Sequence, residues 1–213
     1  MLKRLSVLVL GLAMISSVVY AAPNRTGRWD AGVSVAGAIP TDSDLDAGVQ
    51  VGGTIAYGVS EWFAIGFSGG WQSHDSDDAS ESGITIEGPE VTAVPLFGEL
   101  IFRVPTGDSP INPYGVVGLG TVLWDADDVS STALGVPFTA ETDIDTEFAV
   151  KVGGGFDWFI NENWIINFEA AYVFSSPSAT VTVSSPGLGS FSESADLDLD
   201  YWTVGGGIKV LFG

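Results

Sequence analysis

The stretch Glu147 to Phe174, EFAVKVGGGFDWFINENWIINFEAAYVF, contains two fully alternating segments joined by the polar connector Asn161-Glu162-Asn163. Each segment has one apolar face, and the opposite face is small or sparsely charged. A water-soluble sandwich would also alternate, but its outward face would carry more charge. Apolar faces of about ten residues with aromatics at their ends are typical of strands that contact lipid. The apolar faces consist of Phe148, Val150, Val152, Gly154, Phe156, Trp158 and Ile160, and of Trp164, Ile166, Phe168, Ala170, Tyr172 and Phe174.

The same alternation recurs along the rest of the chain. It predicts six further strands at Trp29–Ile39, Val49–Val59, Phe63–Gln72, about Ile84–Val104, Tyr114–Trp124 and Trp202–Phe212. Long connectors follow the third, fifth and seventh strands, and short ones follow the second and sixth. An even strand number with this asymmetry predicts an all-β fold, an eight-stranded antiparallel transmembrane β-barrel with short periplasmic turns and long extracellular loops.

The N-terminus has the pattern of a secretory signal. Lys3 and Arg4 precede an apolar run from Leu5 to Val19, and small residues follow. The run is shorter than the roughly 20 apolar residues of a membrane-anchoring helix, which is the alternative. We predict cleavage after Ala21, so that residues 1–21 are the signal peptide and residues 22–213 the barrel domain.

Charge and composition limit the possible partners. The formal charge is −20, and removal of Lys3 and Arg4 with the signal leaves −22, which makes nucleic acid an unfavourable partner. Cysteine is absent, so closure of every strand edge would replace the constraint of disulfides. The 28 glycines and 7 tryptophans fit such a barrel.

Several segments together resemble the small eight-stranded outer-membrane barrels of Gram-negative bacteria, the OmpA-like and OmpW-like barrel domains. They are Val94-Pro95-Leu96 with Phe102-Arg103, Pro113 to Gly120, Gly153-Gly154-Gly155-Phe156 to Phe168-Glu169, and the aromatic Phe212 near the end of the last strand. The resemblance implies a monomer in the cell outer membrane, in contact with lipid and lipopolysaccharide. It also implies that Phe212 is the signal for the barrel-assembly machinery. The family's terminal aromatic is normally the last residue, whereas Gly213 follows Phe212 here.

Charged residues on the inward faces predict an ion cluster in the lumen. An unpaired charge inside the barrel would be costly, so these side chains should pair with one another. Counted from the turns, all but Lys151 lie in the periplasmic half. A structural plug of salt bridges and a gated polar path both remain open. The predicted residues are Asp30, Glu99, Arg103, Asp157, Glu169 and Lys209, with Lys151 farther out.

Pro95 lies in the middle of a predicted strand, where it withholds a ladder hydrogen bond. OmpW-like barrels are thought to pass hydrophobic molecules sideways into the membrane, so the resemblance suggests a lateral gate at Pro95. A bulge or a tolerated local defect is the alternative.

Acidic residues recur at alternate positions in three places at the predicted outer rim. Carboxylate oxygens suit Ca²⁺ or Mg²⁺, so we expect weak binding of divalent cations and no other cofactor. A solvated acidic surface is the alternative. The three triples are Asp42, Asp44 and Asp46; Asp143, Asp145 and Glu147; and Asp196, Asp198 and Asp200.

Three classes of function compete. An enzyme is not expected, because the single histidine, His74, is predicted at a loop tip beside Ser73 and Asp75, and neighbours in an extended chain point in opposite directions. We expect a structural or surface-interaction role with a lumen plugged by side chains. The alternative is a narrow, porin-like conduit for small or hydrophobic molecules that are released laterally into the membrane.

Overall fold

A computed structural model describes residues 22–41, 46–74, 79–81, 84–86, 91–126, 129–133, 136–144, 146–185 and 189–213. The strands of this part of the chain are β1 Trp29–Pro40, β2 Gly48–Gly58, β3 Phe63–His74, β4 Ala79–Glu81, β5 Ile84–Ile86, β6 Val91–Arg103, β7 Ile111–Ala126, β8 Val129–Ala133, β9 Val136–Ile144, β10 Glu147–Phe159, β11 Trp164–Phe174, β12 Ser178–Ser185, β13 Gly189–Asp196 and β14 Tyr201–Phe212. No helix among the described residues is long and apolar enough to cross a membrane.

Eight of these strands close into an antiparallel barrel in the order β1-β14-β11-β10-β7-β6-β3-β2. This confirms the predicted fold class. One strand boundary was wrong: the segment predicted from about Ile84 to Val104 consists of the short β5 and the separate barrel strand β6. The predicted cleavage site and residues 1–21 lie outside the described part.

The two ends of the barrel differ in their connections. The turn end carries the connectors 59–62, 104–110 and 160–163 together with both termini of the described chain. The loop end carries the longer connections between barrel strands. Aromatic pairs mark both ends of the outer face: Trp29 and Tyr57 lie 5.0 Å apart at the turn end, and Tyr172 and Trp202 lie 5.0 Å apart at the loop end. These pairs are the aromatic girdles expected of a membrane barrel.

Small residues on the inner face let neighbouring strands approach closely. At Gly120 on β7, an added Cβ would collide with the Leu96 carbonyl oxygen and lie 2.8 Å from Phe97 Cα on β6. At the outward-facing Gly98 on β6, the nearest atom would be the Leu119 carbonyl oxygen at 3.8 Å, an ordinary contact. Glycine is therefore required by packing at Gly120 and is optional at Gly98.

A second sheet stands at the loop end, in segments that were predicted as loops. It has four strands in the order β13-β12-β9-β8. On one face, hydroxyl pairs lie 2.9 Å apart between Thr180 and Ser194 and between Thr182 and Ser192. On the opposite face Val183 faces Phe191 across the ladder, and both are exposed. The connections at this end therefore contain β-strands of their own.

Candidate functional site: the barrel lumen

The turn end of the lumen is closed by a layer of buried ion pairs. Arg103 Nη2 on β6 lies 2.6 Å from Asp30 Oδ2 on β1, and Lys209 Nζ on β14 lies 3.3 Å from Asp157 Oδ1 on β10. A further cation comes from the segment before β1, where Arg25 Nη1 lies 2.7 Å from Asp157 Oδ2. All five side chains are buried, so each charge depends on its neighbours for compensation.

The N-terminal segment, residues 22–28, holds Arg25 in this layer. The Gly27 amide donates to the Gly58 carbonyl at 2.7 Å, and the Ala22 amide donates to the Ser109 carbonyl at 3.2 Å. The Arg25 guanidinium also lies over the Phe159 ring, 4.8 Å from its centroid. Ala22 packs on an apolar cluster of Phe159, Ile165 and Leu211. Residues 22–28 therefore cover the opening of the barrel at the turn end.

A second ionic layer lies deeper in the barrel. Lys151 Nζ on β10 lies 2.9 Å from Glu99 Oε1 on β6 and 2.6 Å from Glu169 Oε1 on β11. The Ser68 hydroxyl donates to Glu99 at 2.6 Å. One buried cation thus compensates two carboxylates on different strands, and loss of Lys151 would leave both without an ion-pair partner.

Neutral side chains connect the two layers. Asn167 Nδ2 donates to Asp157 Oδ1 at 3.0 Å and to the Tyr114 hydroxyl at 2.8 Å. The Tyr114 hydroxyl in turn donates to Glu169 Oε2 at 2.8 Å. A continuous hydrogen-bonded network therefore runs from Arg25 in the N-terminal segment to Ser68 on β3. All seven charges predicted to face the lumen belong to these two layers.

An apolar plug fills the loop end of the lumen. Trp124 packs edge-on against Tyr201, with ring centroids 6.1 Å apart, and the His74 ring lies 6.3 Å from Trp124. Phe97, Val122 and Val173 belong to the same buried cluster. This placement corrects the prediction for His74. Its ring is buried at the end of β3, with Nδ1 3.0 Å from the Asp46 carbonyl oxygen, and does not lie at a loop tip.

A small polar chamber of about 60 Å³ separates the plug from the ion pairs. Gln50, Tyr201 and Thr203 line it together with Lys151 and Glu169. At about 30 Å³ for each water molecule, this volume is sufficient for about two waters but not for a continuous channel. The lumen thus has three zones, an apolar plug, a polar chamber and an ionic base.

Pro95 lies beside the chamber, and its strand pairing is interrupted. The β3–β6 ladder pairs Gly69 with Leu96 and Gln72 with Ala93, but the intervening Gly70 and Trp71 have no ladder partners in β6. Two residues on each strand span the gap, so the register is unchanged and no bulge is present. On its other side Pro95 stays paired with Val122 of β7. The missing proline N–H therefore weakens one seam of the wall, between β3 and β6.

The wall beside this seam is thin. Gly52 pairs with Gly70 and Gly53 pairs with Gly69, so four glycines meet across the β2–β3 ladder. Gly53 and Gly69 line the inner chamber and also an open groove on the outer surface. At this point only backbone separates the chamber from the lipid-facing side.

The structure describes only part of the predicted acidic rim. Asp42, Asp44 and Asp145 lie outside the described residues, as do the side chains of Glu147 and Asp196. Asp143 and Asp198 are exposed, and Asp200 accepts hydrogen bonds of 2.8 Å from the Tyr172 hydroxyl and the Ser175 amide. In the described part of the chain, no three acidic, histidine or cysteine side chains are grouped to hold a metal ion. Phe212, the predicted assembly signal, ends β14 with an exposed side chain.

Sequence reasoning missed Arg25 because it precedes the first strand. A charge count could have indicated it. The predicted inward set holds four acids and three bases, and the only other basic residues after the signal are Arg25 and Arg28. A buried set that is one cation short predicts that one of these two arginines reaches the lumen.

Comparisons with known proteins agree with this architecture. The family model of the outer membrane protein β-barrel domain matches residues 6–205. The structure of OprG from Pseudomonas aeruginosa superimposes with a TM-score of 0.71 at 18% identity, covering 92% of this chain and 99% of that chain. The structure of AlkL in lipid bilayers superimposes with a TM-score of 0.60 at 19% identity, and the match covers 92% of this chain and 95% of that chain. The structure of Neisserial surface protein A superimposes with a TM-score of 0.54 at 13% identity, and the match covers 87% of this chain and 97% of that chain.

At these identities the likeness to solved structures concerns the fold alone. No curated protein matches the sequence. The family match spans most of the chain, and it confirms the resemblance predicted from the strand motifs. The chain belongs to the outer membrane protein β-barrel domain family.

Proposed function

We propose that this protein is a closed outer-membrane scaffold that displays β-structure at the cell surface. The observation that carries the proposal is the three-zone lumen, in which a chamber of about 60 Å³ lies between an apolar plug and paired charges. The interior of an eight-stranded barrel is just wide enough for side chains to fill. The turn end would face the periplasm, and the four-stranded sheet would stand outside.

Single-channel recording tests this closed state. We expect the purified protein in planar lipid bilayers to give no sustained conductance, because both ionic layers and the apolar plug would have to move together to open a path. A refolded open porin serves as the positive control. Sustained conductance by the unmodified protein would favour the conduit.

A second function, lateral exchange of small apolar molecules, is favoured by the interrupted seam at Pro95. Replacing Pro95 with alanine supplies the missing N–H and should close the β3–β6 ladder. If the seam is a gate, the Pro95→Ala variant should take up an apolar dye more slowly in whole cells, and its Gly70 amide should be protected from hydrogen exchange.

The matched control is Pro113→Ala, a proline on the outward face of β7 that lies opposite Phe156. Equal dye uptake by both variants and the unmodified protein would leave Pro95 as a tolerated defect. Slower uptake by Pro95→Ala alone would identify the seam as the route.

The acidic loop end should bind divalent cations weakly. Repulsion among its carboxylates is relieved by Ca²⁺ and is screened as salt rises. We expect millimolar Ca²⁺ to protect the loops from proteolysis in the unmodified protein, and to protect less in an Asp143→Asn/Asp198→Asn variant. Asp200 is kept because it holds Tyr172 and Ser175. Equal cleavage with and without Ca²⁺ would indicate a merely solvated surface.

A further inference from the structure

The four-stranded sheet at the loop end has a free edge along β13. In the described part of the chain β13 pairs with β12 only, and the opposite edge of the sheet belongs to the five-residue β8. All residues from Gly189 to Ala195 are exposed. The outer side of an edge strand presents a row of backbone N–H and C=O groups, which can pair with another extended chain.

Edge strands are usually protected against such pairing, and β13 lacks the common protections. Its sequence, Gly189 to Asp196, contains no proline and no lysine. Its register with β12 runs one-to-one from Ser178 opposite Asp196 to Ser185 opposite Gly189, so no bulge twists the edge away. The whole eight-residue strand is therefore suited to accept a further strand.

The side chains of β13 give this edge two different faces. Phe191 and Glu193 lie two residues apart on the face that also carries Val183 of β12. Phe191 is 68% exposed and Val183 is 39% exposed. The opposite face carries the hydroxyl groups of Ser190, Ser192 and Ser194. An added strand would thus meet an aromatic ring and a carboxylate on one face and hydroxyl groups on the other.

Charge selects the kind of chain that can pair there. No lysine or arginine occurs in the connections at the loop end, residues 41–47, 75–90, 127–146 and 175–200. Of the seven basic residues, Lys3 and Arg4 lie in the predicted signal, and the other five lie in the lumen or in the segment before β1. A second copy of this acidic chain would be repelled. A basic chain would place a cation beside Glu193.

We propose that β13 is a docking edge for an extended, basic segment of another protein, which adds to the sheet as a fifth strand. The segment would carry an apolar residue next to Phe191 and a basic residue next to Glu193, while its backbone pairs with the free edge. The inference rests on the proposed function in one respect, the display of the sheet outside the membrane.

Peptide binding to the refolded protein in phosphatidylcholine nanodiscs tests the proposal. The probe is a fluorescent eight-residue peptide of alternating lysine and valine, matched to the length of β13. We expect saturable binding of this peptide and none of the matched peptide of alternating glutamate and valine. Any result without a preference for the lysine peptide would overturn the proposal. A dimer that forms through β13 and excludes the peptide would assign the edge to a second copy instead.

A charge reversal on β13 tests the position of the peptide. Glu193→Lys should weaken binding of the lysine peptide about tenfold, because an attractive cross-strand pair becomes a repulsive one. The matched control is Glu162→Lys, the same charge change at an exposed site of the turn end, which should leave the affinity unchanged. Equal weakening by the two variants would mean that the peptide responds to net charge and not to β13.

Hydrogen exchange shows whether the peptide pairs with the backbone. Alternate amides of a strand point to its two opposite edges. We expect the saturated peptide complex to slow exchange at every second amide from Ser190 to Ala195, those that point away from β12. Unchanged exchange along β13 in the saturated complex would contradict strand addition.

Conductance of the same protein separates this inference from the proposed function. Sustained conductance would contradict the closed scaffold, whatever the peptide does. A non-conducting protein that does not bind the lysine peptide would contradict the docking edge alone.

Discussion

Replacing Lys151 with methionine is expected to lower the barrel's free energy of unfolding by about 3–5 kcal/mol. Lys151 is the ion-pair partner of both Glu99 and Glu169, at 2.9 and 2.6 Å, and both carboxylates are largely buried. Methionine fills a similar volume but leaves two negative charges facing each other across the lumen. The measurement is the thermal midpoint at which the folded band is lost in heat-modified electrophoresis.

A rescue variant separates charge from packing. Lys151→Met combined with Glu99→Gln and Glu169→Gln removes all three charges and keeps groups that can bond to Ser68 and Tyr114. We expect it to recover most of the lost stability, because replacing a buried ionic set as a whole is often nearly neutral. A triple variant as unstable as the single one would mean that the lysine stem, not its charge, is what the barrel needs.

Alternation predicted most of the barrel because each strand has lipid on one side and a crowded lumen on the other. The inward set from Phe97 to Arg103 and the lipid-facing Val117, Leu119 and Leu123 all lie on the predicted faces. If a strand were shifted by one residue, charged side chains such as Glu99 would point into lipid. The sequence pattern therefore strongly restricts the register.

The second sheet was missed because its strands are short and rich in serine and threonine, a composition shared with loops. Thr180-Val181-Thr182-Val183 does alternate, but four residues are too few to distinguish a strand from an extended connector. The hydroxyl pairs with Ser192 and Ser194 depend on partners ten or more residues away. Pairing at this range cannot be derived from one segment at a time.

The chamber and the Pro95 seam were only partly accessible from sequence. The proline was recognised, but whether it causes a bulge or a gap depends on how β3 continues beyond it. The position of the chamber could not be predicted, because it depends on Trp124 and Tyr201, which come from other strands and fill the outer end of the lumen.

Asp157→Asn should destabilise the turn end by about 3–5 kcal/mol, since it removes the counter-charge of both Arg25 and Lys209. Its carboxylate also accepts a hydrogen bond from Asn167, so it ties β10 to β11, β14 and the N-terminal segment. Loss of the Arg25 contact should release residues 22–28. Hydrogen exchange of the Gly27 amide, now bonded to the Gly58 carbonyl, reports this release directly.

Arg25→Gln removes only one of the two cations that pair with the Asp157 carboxylate. Lys209 still compensates Asp157 in this variant, so the barrel should keep most of its thermal stability while the Gly27 amide exchanges faster. Asp157→Asn should both lower the melting midpoint and speed exchange. Slow exchange at Gly27 in both variants would show that the backbone bonds to Gly58 and Ser109, not the buried ion pair, hold the N-terminal segment against the barrel.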